Sequence, residues 1–304
     1  MFAKPVQEPI QTDYLIMGAG VSGLTLGKIL AANGKDVYIL GSPYDSQIAK
    51  AGIIEDSKRI AKDTKGMKWI ENALKEAKAA GAKHRSSKAI AVKEEGEYLL
   101  VKTKMVDFHA KFLIIATGAH QQSFGFKGEK EFFHKGVSDC AVCDANLFRG
   151  RHAAIVGNHK YTLKSARYIA NIVKKVNVLW LEHDLPEQNP HFQALMKLDN
   201  VEIFNSVQDI EIYGSDVVEG VKFMQGEVEK NLDVQVVFIE GEPQPSTELF
   251  RDLLKLDPTG HVEVNEYQTS HPQIFALGDV IKGEKSLDRA LEDAERLGKI
   301  LNLA

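Results

Sequence analysis

Cysteine is nearly absent from this chain: the 304 residues include only two, Cys140 and Cys143. A structural zinc centre usually needs four protein ligands, and no second cysteine pair is present to complete one. A purely structural disulfide would add little stability, because closing so short a loop removes little entropy from the unfolded chain. The CxxC spacing therefore favours a redox-active pair that opens and closes as a disulfide. Asp144 follows directly, placed to move a proton when one sulfur becomes a thiolate.

Long apolar runs and a strong net charge are also missing. Apolar runs such as 112–116 fall far short of the roughly 20 residues that cross a bilayer. The net charge is −4, so the composition does not indicate a nucleic-acid partner. Residues 1–13 are polar, contain two prolines and lack the apolar core of a signal peptide. We therefore expect a cytoplasmic protein without a membrane span, in a compartment where a lone CxxC is more often catalytic than structural.

The first segment predicts a βαβ unit. A short apolar run at 14–17 leads into Gly-Ala-Gly-Val-Ser-Gly at 18–23, then a helical pattern over 24–33 and a second strand over 36–40. A glycine motif between a strand and a helix is typical of dinucleotide-binding turns, which hold a pyrophosphate at the N-terminus of the helix.

Each glycine of this motif has a separate role. Gly18 permits the tight turn, Gly20 lets the backbone approach the pyrophosphate, and Gly23 allows the helix to pack closely on the strand. The acidic residue expected after the second strand, to bind a ribose hydroxyl, is replaced by Gly41. Ser42 follows and offers a weaker hydrogen bond.

The stretch 58–88 is strongly basic. It contains ten Lys and Arg against three acids, a local balance of +7 in a chain of net −4. One interpretation is a solvated helix over 64–81 with Met67, Ile70 and Leu74 turned inward. The other is a surface that steers an acidic protein partner. The sequence leaves both open.

Four ordered motifs carry a resemblance to a known family. They are GxGxxG near the N-terminus, Ala-Thr-Gly at 116–118 after a predicted strand over 108–115, the Ser-x-Cys-x-x-Cys-Asp-Ala segment at 138–145, and Gly-Asp at 278–279. Together they resemble the low-molecular-weight thioredoxin reductases over nearly the whole chain.

The resemblance implies an α/β fold of two Rossmann-like, three-layer dinucleotide-binding domains, the second inserted in the first. The length and the 44% hydrophobic content agree with two domains. The FAD domain would span 1–110 and 241–304, and the central domain with the CxxC would span 111–240. Relatives of this kind also lead us to expect a homodimer.

The resemblance assigns roles to the site residues. Cys140 would attack the disulfide of thioredoxin or a similar protein, Cys143 would face the flavin, and Asp144 would act as acid and base. The predicted FAD-binding residues are Gly18, Ala19, Gly20, Ser22, Gly23, Gly41, Ser42, Gln47, Ile48, Asp56, Ala116, Thr117, Gly118, Gly278 and Asp279. Asp56 stands where the family usually has Asn.

The second nucleotide turn departs from the family pattern. The predicted βαβ that begins at 152–156 has Gly-Asn-His-Lys-Tyr-Thr at 157–162, so only the first glycine remains. His159 and Thr162 place side chains where backbone should approach phosphate. Glu182 and Asp184 stand where arginines would bind a 2′-phosphate, and carboxylates repel that dianion.

These departures resemble the pyridine-nucleotide-independent branch of the family, so NADPH is not expected as a cofactor. The resemblance then implies ferredoxin or flavodoxin, a reduced deazaflavin, or a second flavin in the NADPH position as electron donor. Two alternatives remain open. One is a divergent reductase that still uses NADPH or NADH; the other is a flavin-binding redox sensor without turnover.

Overall fold

A computed structural model of the protein describes residues 8–50, 53–54 and 57–303. Its strands are β1 Ile10–Met17, β2 Val37–Leu40, β3 Lys83–Arg85, β4 Ala89–Glu95, β5 Tyr98–Thr103, β6 Phe108–Ile115, β7 Ala119–His120, β8 Val137–Ser138, β9 His152–Gly157, β10 Lys175–Trp180, β11 Val201–Phe204, β12 Val207–Gly214, β13 Val218–Gln225, β14 Val228–Asp233, β15 Val236–Ile239, β16 Gln244–Pro245 and β17 Ile274–Ala276. Its α-helices are α1 Val21–Ala32, α2 Gln47–Lys50, α3 Gly66–Ala79, α4 Ala141–Asp144, α5 Lys160–Ile169, α6 Pro190–Leu195 and α7 Leu287–Leu303. Within these described ranges, no helix combines the length and apolarity that a membrane crossing requires.

The chain forms two compact α/β units. The first contains the described residues up to His120 and from Gln244 onward, and the second contains Gln121–Pro243. The second unit is thus inserted in the sequence of the first. The predicted border at residue 110 falls inside β6, which pairs along its length with β1 of the first unit. Because β6 is hydrogen-bonded to β1 within one sheet, all of β6 belongs to the first unit, and the division comes after His120.

The first unit is built on a seven-stranded mixed sheet. The strand order is β3-β2-β1-β6-β5-β4, and β17 also pairs with β6. Strands β1, β2, β3, β6 and β17 are parallel, whereas β4 and β5 join in antiparallel pairs. The carboxyl ends of the parallel strands therefore lie at one edge, where ligands bind in sheets of this kind.

Both faces of this sheet are covered by a hydrophobic core. Successive residues of β1 point to opposite sides and so contribute to different cores. Ile16 packs with Leu24 and Leu30 of α1, in a core that α3 and α7 complete. Leu15 and Met17 face the other core, which includes residues of β5. Strands β1 and β2 with helix α1 confirm the βαβ unit predicted around the first glycine motif.

The second unit has a five-stranded parallel sheet in the order β11-β10-β9-β15-β8. Helices α5 and α6 cover one face through Leu163, Ile169 and Leu195. The separate antiparallel sheet β12-β13-β14 packs on the other face through Val221 and Phe223. Strands β9 and β10 with α5 form the predicted second βαβ.

Three local features of the structure do not follow from the sequence pattern. The apolar positions over 201–212 predict one continuous strand, but the structure divides it at Asn205 and Ser206, because Ser206 adopts a φ of 53° and donates its N–H to the Glu182 carbonyl at 2.9 Å. Strand β14 is not predicted, since its residues are mostly polar and exposed. In α3, Ile70 is buried as expected but Met67 is 41% exposed.

Candidate active site

The two cysteines form a disulfide in the second unit. Their Cα atoms are 5.3 Å apart, and Cys143 donates its N–H to Cys140 Sγ at 3.3 Å. Both residues are partly exposed, so the bond is not sealed in a core. The part of the chain that the structure describes holds no group of three or more His, Cys, Asp or Glu arranged for a metal ion. The arrangement suits thiol–disulfide exchange.

Asp144 is held beside the disulfide by Ser138. The buried Ser138 hydroxyl donates to Asp144 Oδ2 at 2.7 Å and accepts a hydrogen bond from the Cys140 N–H at 3.0 Å. One hydroxyl therefore connects the carboxylate to the backbone of the first cysteine. This fixed position suits a carboxyl group that exchanges protons with the pair.

The first glycine motif forms a tight turn between β1 and α1. Gly18 has a φ of 122°, and a Cβ atom there would lie 2.1 Å from the Ala116 carbonyl oxygen. A Cβ at Gly23 would lie 1.9 Å from the Gly18 oxygen. At Gly20 the nearest atom would be Ser46 Cβ at 3.8 Å. Two glycines thus serve close packing, whereas a Cβ at Gly20 would make only an ordinary van der Waals contact.

The N-terminus of α1 is suited to bind an anionic ligand. Gly20 caps the helix without a side-chain hydrogen bond, and the first turn contains no acidic residue. The peptide N–H groups of a first turn have no partner within their own helix, and they attract phosphate oxygens.

The other predicted FAD-binding segments meet at the same edge of the sheet. Gly41, with a φ of 138°, would place a Cβ 3.1 Å from the Ala19 nitrogen. Gly278, with a φ of 76°, would place one 2.5 Å from Ser22 Oγ. The structure therefore brings together turns that lie far apart in the sequence. Burial raises the pKa of the Asp279 carboxyl group at this edge.

The remaining predicted residues surround these turns. Ser42 follows Gly41 and precedes a short 3₁₀ turn. Thr117 donates its hydroxyl to the Ser246 carbonyl at 2.8 Å, next to Gly118. Gln47 Nε2 donates to the Ala119 carbonyl at 2.6 Å, and Ile48 is buried in the first core. Asp56 lies outside the described residues.

In the second glycine turn, the Thr162 side chain packs between Gly157 and the Glu240 carbonyl. A Cβ at Gly157 would lie 2.0 Å from the Glu240 carbonyl oxygen and 2.4 Å from Thr162 Oγ1. Thr162 is fully buried and donates its hydroxyl to that same carbonyl at 2.5 Å. Its Oγ1 also accepts the His159 N–H at 3.3 Å. Threonine thus occupies the position at which the fingerprint has a glycine for close packing of the helix.

The acidic residues after β10 are exposed. Glu182 accepts a hydrogen bond from Asn158 Nδ2 of the turn at 2.9 Å, and the Asp184 carbonyl accepts one from Trp180 Nε1 at 3.0 Å. Glu182 is therefore tied to the turn itself.

A buried acid that the sequence analysis misses lies beneath the CxxC. Glu240 follows β15, is only 4% exposed, and accepts a hydrogen bond from the Ala141 N–H at 3.1 Å. Burial raises the pKa of Glu240 to about 7. A charged residue at the end of the apolar run 236–239 is the sequence signal that could have identified it.

The chain is similar to known proteins over most of its length. Residues 12–294 match the model of the family described as pyridine nucleotide-disulphide oxidoreductase, and the chain belongs to that family. It is similar to the thioredoxin reductase of Aquifex aeolicus (strain VF5), with 32% identity over 93% of this chain and 90% of the relative.

Solved structures of thioredoxin reductases are also similar to this chain. The T. acidophilum thioredoxin reductase has a TM-score of 0.80 at 28% identity and covers 96% of this chain and 98% of its own. A ferredoxin-flavin thioredoxin reductase from Clostridium acetobutylicum has a TM-score of 0.52 at 25% identity, with 96% of each chain covered. The protein is thus a thioredoxin reductase-like member of the family with an intact cysteine pair.

Proposed function

We propose that the protein is an FAD-dependent disulfide reductase that passes electrons through the Cys140–Cys143 pair to thioredoxin or a similar protein disulfide, without NADPH. The observation that carries the proposal is the partly exposed disulfide with Asp144 held beside it by Ser138. An intact pair with a positioned carboxyl group favours turnover over a sensor that has lost its electron path.

The first unit fits FAD. A cradle for a dinucleotide is formed at one edge of the sheet, where Gly41, Ala116 and Gly278 meet. The N-terminus of α1 lies there, and its N-cap Gly20 provides no side-chain hydrogen bond. Ser42 and Asp279 supply oxygens for hydroxyl groups of the cofactor. Bound there, FAD would supply the electron pair that reduces the disulfide.

The cysteine pair performs the exchange in two steps. The Cys140 thiolate attacks the partner's disulfide and releases one partner sulfur as a thiolate. Cys143 then attacks the mixed disulfide, which frees the second partner sulfur and restores the Cys140–Cys143 bond. Asp144 receives and returns the proton of the attacking thiol. The named relatives are thioredoxin reductases, which supports thioredoxin as the partner.

The contacts of Thr162 and Glu182 at the second turn support independence from pyridine nucleotides. Thr162 fills the space between the turn and Glu240, and the Glu182 carboxylate faces the turn through Asn158. A ferredoxin near −400 mV and thioredoxin near −270 mV differ by about 130 mV, or roughly 6 kcal/mol for two electrons. Ferredoxin or flavodoxin is therefore our proposed donor, and a neighbour named ferredoxin-flavin thioredoxin reductase supports it.

A spectrum of the anaerobically purified protein tests this function. We expect about one FAD per chain, no bleaching of the flavin by millimolar NADPH or NADH, and full bleaching by reduced ferredoxin or by dithionite. Dithionite is the control that the flavin is reducible. Rapid stoichiometric bleaching by NADPH would establish the divergent pyridine-nucleotide reductase instead. More than one flavin per chain would favour a second flavin as the electron path.

A further inference from the structure

The buried carboxyl of Glu240 contacts the backbone inside the CxxC segment. Its Oε1 accepts the N–H of Ala141, the residue that follows Cys140 directly, at 3.1 Å. Its Oε2 accepts a hydrogen bond from Gln121 Nε2 at 2.8 Å, and Ser165 of α5 also hydrogen-bonds to it. These partners lie on three separate segments of the second unit, so the carboxyl group is fixed beneath the pair.

Its surroundings allow this carboxyl to change protonation near neutral pH. Burial raises the pKa of Glu240 to about 7, and the nearby Asp139 carboxylate also raises it. Hydrogen bonds from Ala141, Ser165 and Gln121 favour the ionised form but do not outweigh burial. The charged residues of α5 nearest to Ser165 and Thr162, Lys160 and Lys164, are exposed.

The side-chain partners can satisfy both protonation states. A serine hydroxyl donates or accepts, and so does a glutamine amide after rotation about its last bond. Gln121 Oε1 is buried and has no hydrogen-bond partner within the described residues. If the amide rotates, this oxygen accepts a hydrogen bond from a protonated Glu240. Neither state then leaves the carboxyl group unsatisfied.

We propose that Glu240 is a positioning residue of the redox pair, whose carboxyl group binds one proton when the Cys140–Cys143 bond is reduced. The proposal rests on the redox activity in the proposed function. Reduction breaks the S–S bond and adds two electrons. One sulfur takes a proton and the other stays a thiolate. The thiolate repels an ionised carboxylate nearby, so a second proton binds to Glu240 and the charge of the site is unchanged.

A redox titration tests this coupling without NADPH, ferredoxin or thioredoxin. The full-length protein is equilibrated with mixtures of reduced and oxidised dithiothreitol between pH 6 and 9, and the free thiols of the pair are counted by alkylation and mass spectrometry. The pH dependence of dithiothreitol is common to all samples and cancels between variants. Failure of ferredoxin to donate electrons would refute the proposed donor and leave this result intact.

The equilibrium constant for reduction of the cysteine pair should depend on pH differently in the wild type and in Glu240→Gln. Below pH 7 the carboxyl of the wild type is protonated in both redox states. The ratio of the equilibrium constants of wild type and variant is therefore independent of pH in this range. Above pH 7 reduction of the wild type takes up one more proton, so its equilibrium constant for reduction falls by up to about tenfold per pH unit relative to the variant. The exposed neighbour provides the matched control, since Glu242→Gln should follow the wild type. A constant ratio from pH 6 to 9 overturns the proposal.

A second measurement stands even if Glu240→Gln fails to fold. The reduced-minus-oxidised infrared spectrum of the wild type at pH 8 should gain a band of a protonated carboxyl group. The band should persist in Asp144→Asn, which separates Glu240 from the other acid near the pair. A spectrum without this band in the wild type, or one that loses it in Asp144→Asn, refutes the role of Glu240.

Discussion

Ser138 Oγ lies 2.7 Å from Asp144 Oδ2, and the same hydroxyl accepts the N–H of Cys140. Replacing Asp144 by Asn removes the proton acceptor, and positioned acid–base groups contribute about 10²–10⁴-fold. We expect thioredoxin reduction in Asp144→Asn to slow by about 100-fold or more. Ser138→Ala should slow it less, because the carboxyl remains but is no longer held.

Stopped-flow reoxidation of the reduced enzyme by thioredoxin measures this effect, with flavin content as the check on folding. Ser215→Ala is a matched control, since Ser215 donates a similar bond of 2.7 Å to Glu219 on the surface. If Asp144→Asn reacts at the wild-type rate, Asp144 is not the acid–base group.

The second cysteine should be required for release of the partner. In Cys143→Ser the Cys140 thiolate attacks but no resolving thiol follows, so a mixed disulfide accumulates. We expect a thioredoxin adduct that non-reducing electrophoresis and mass spectrometry map to Cys140. Cys140→Ser is the control and should trap little. An adduct carried by Cys143, or none with any thioredoxin of the cell, contradicts the assigned roles.

Gly20→Glu should abolish FAD binding. The new side chain adds bulk beside the turn and places a negative charge at the N-terminus of α1, where a phosphate is expected to bind. We expect a colourless protein with a near-normal circular dichroism spectrum. Gly20→Ala serves as a control for the fold, since its Cβ would meet only Ser46 Cβ at 3.8 Å. Unchanged flavin content in Gly20→Glu would show that FAD is not bound there.

The basic stretch should accelerate reduction by an acidic carrier. Lys62, Lys65 and Lys68 are exposed, and no ion pair holds them in the described structure. The triple change to Glu should slow flavin reduction by ferredoxin but leave the dithionite reaction unchanged. The wild-type rate should also fall between 0.01 and 0.15 M salt, where screening shortens from about 30 to about 8 Å.

A second triple variant has the same change in net charge outside this stretch. Lys104, Lys255 and Lys299 are also exposed, and their replacement by Glu should slow the ferredoxin reaction much less. If all three proteins show equal rates and equal salt dependence, the basic stretch does not steer the carrier and is only a solvated helix face.

The stability of the oxidised protein should fall as pH rises from about 4.5 to about 7. Across this window Glu240 has lost its proton in the unfolded chain but keeps it in the folded one, so unfolding is favoured. Below the window both states are protonated and the full stability is present. We expect a loss of roughly 3 kcal/mol from this group. Urea unfolding of wild type and Glu240→Gln at several pH values measures this loss. If the free energies of unfolding of the two proteins change in parallel with pH, the prediction is wrong.

Local sequence was sufficient for the motifs and the units that carry them. The glycine turn, the CxxC with its following Asp, and both βαβ units follow from turn chemistry and apolar periodicity within short windows. The break between β11 and β12 at Asn205 and Ser206 could not be predicted from the sequence, because it depends on a hydrogen bond from Ser206 to the distant Glu182 carbonyl.

Long-range strand pairing arranged everything else at the site. Gly18 meets Ala116, and Ser22 meets Gly278, because β6 and β17 pair beside β1 and end at the same edge. Glu240 reaches Ala141 across 99 residues only because β15 lies between β9 and β8 in the second sheet. Burial in that packed environment gives this acid its raised pKa, and the apolar run before Glu240 indicates such burial only in part, because the contacts come from distant segments.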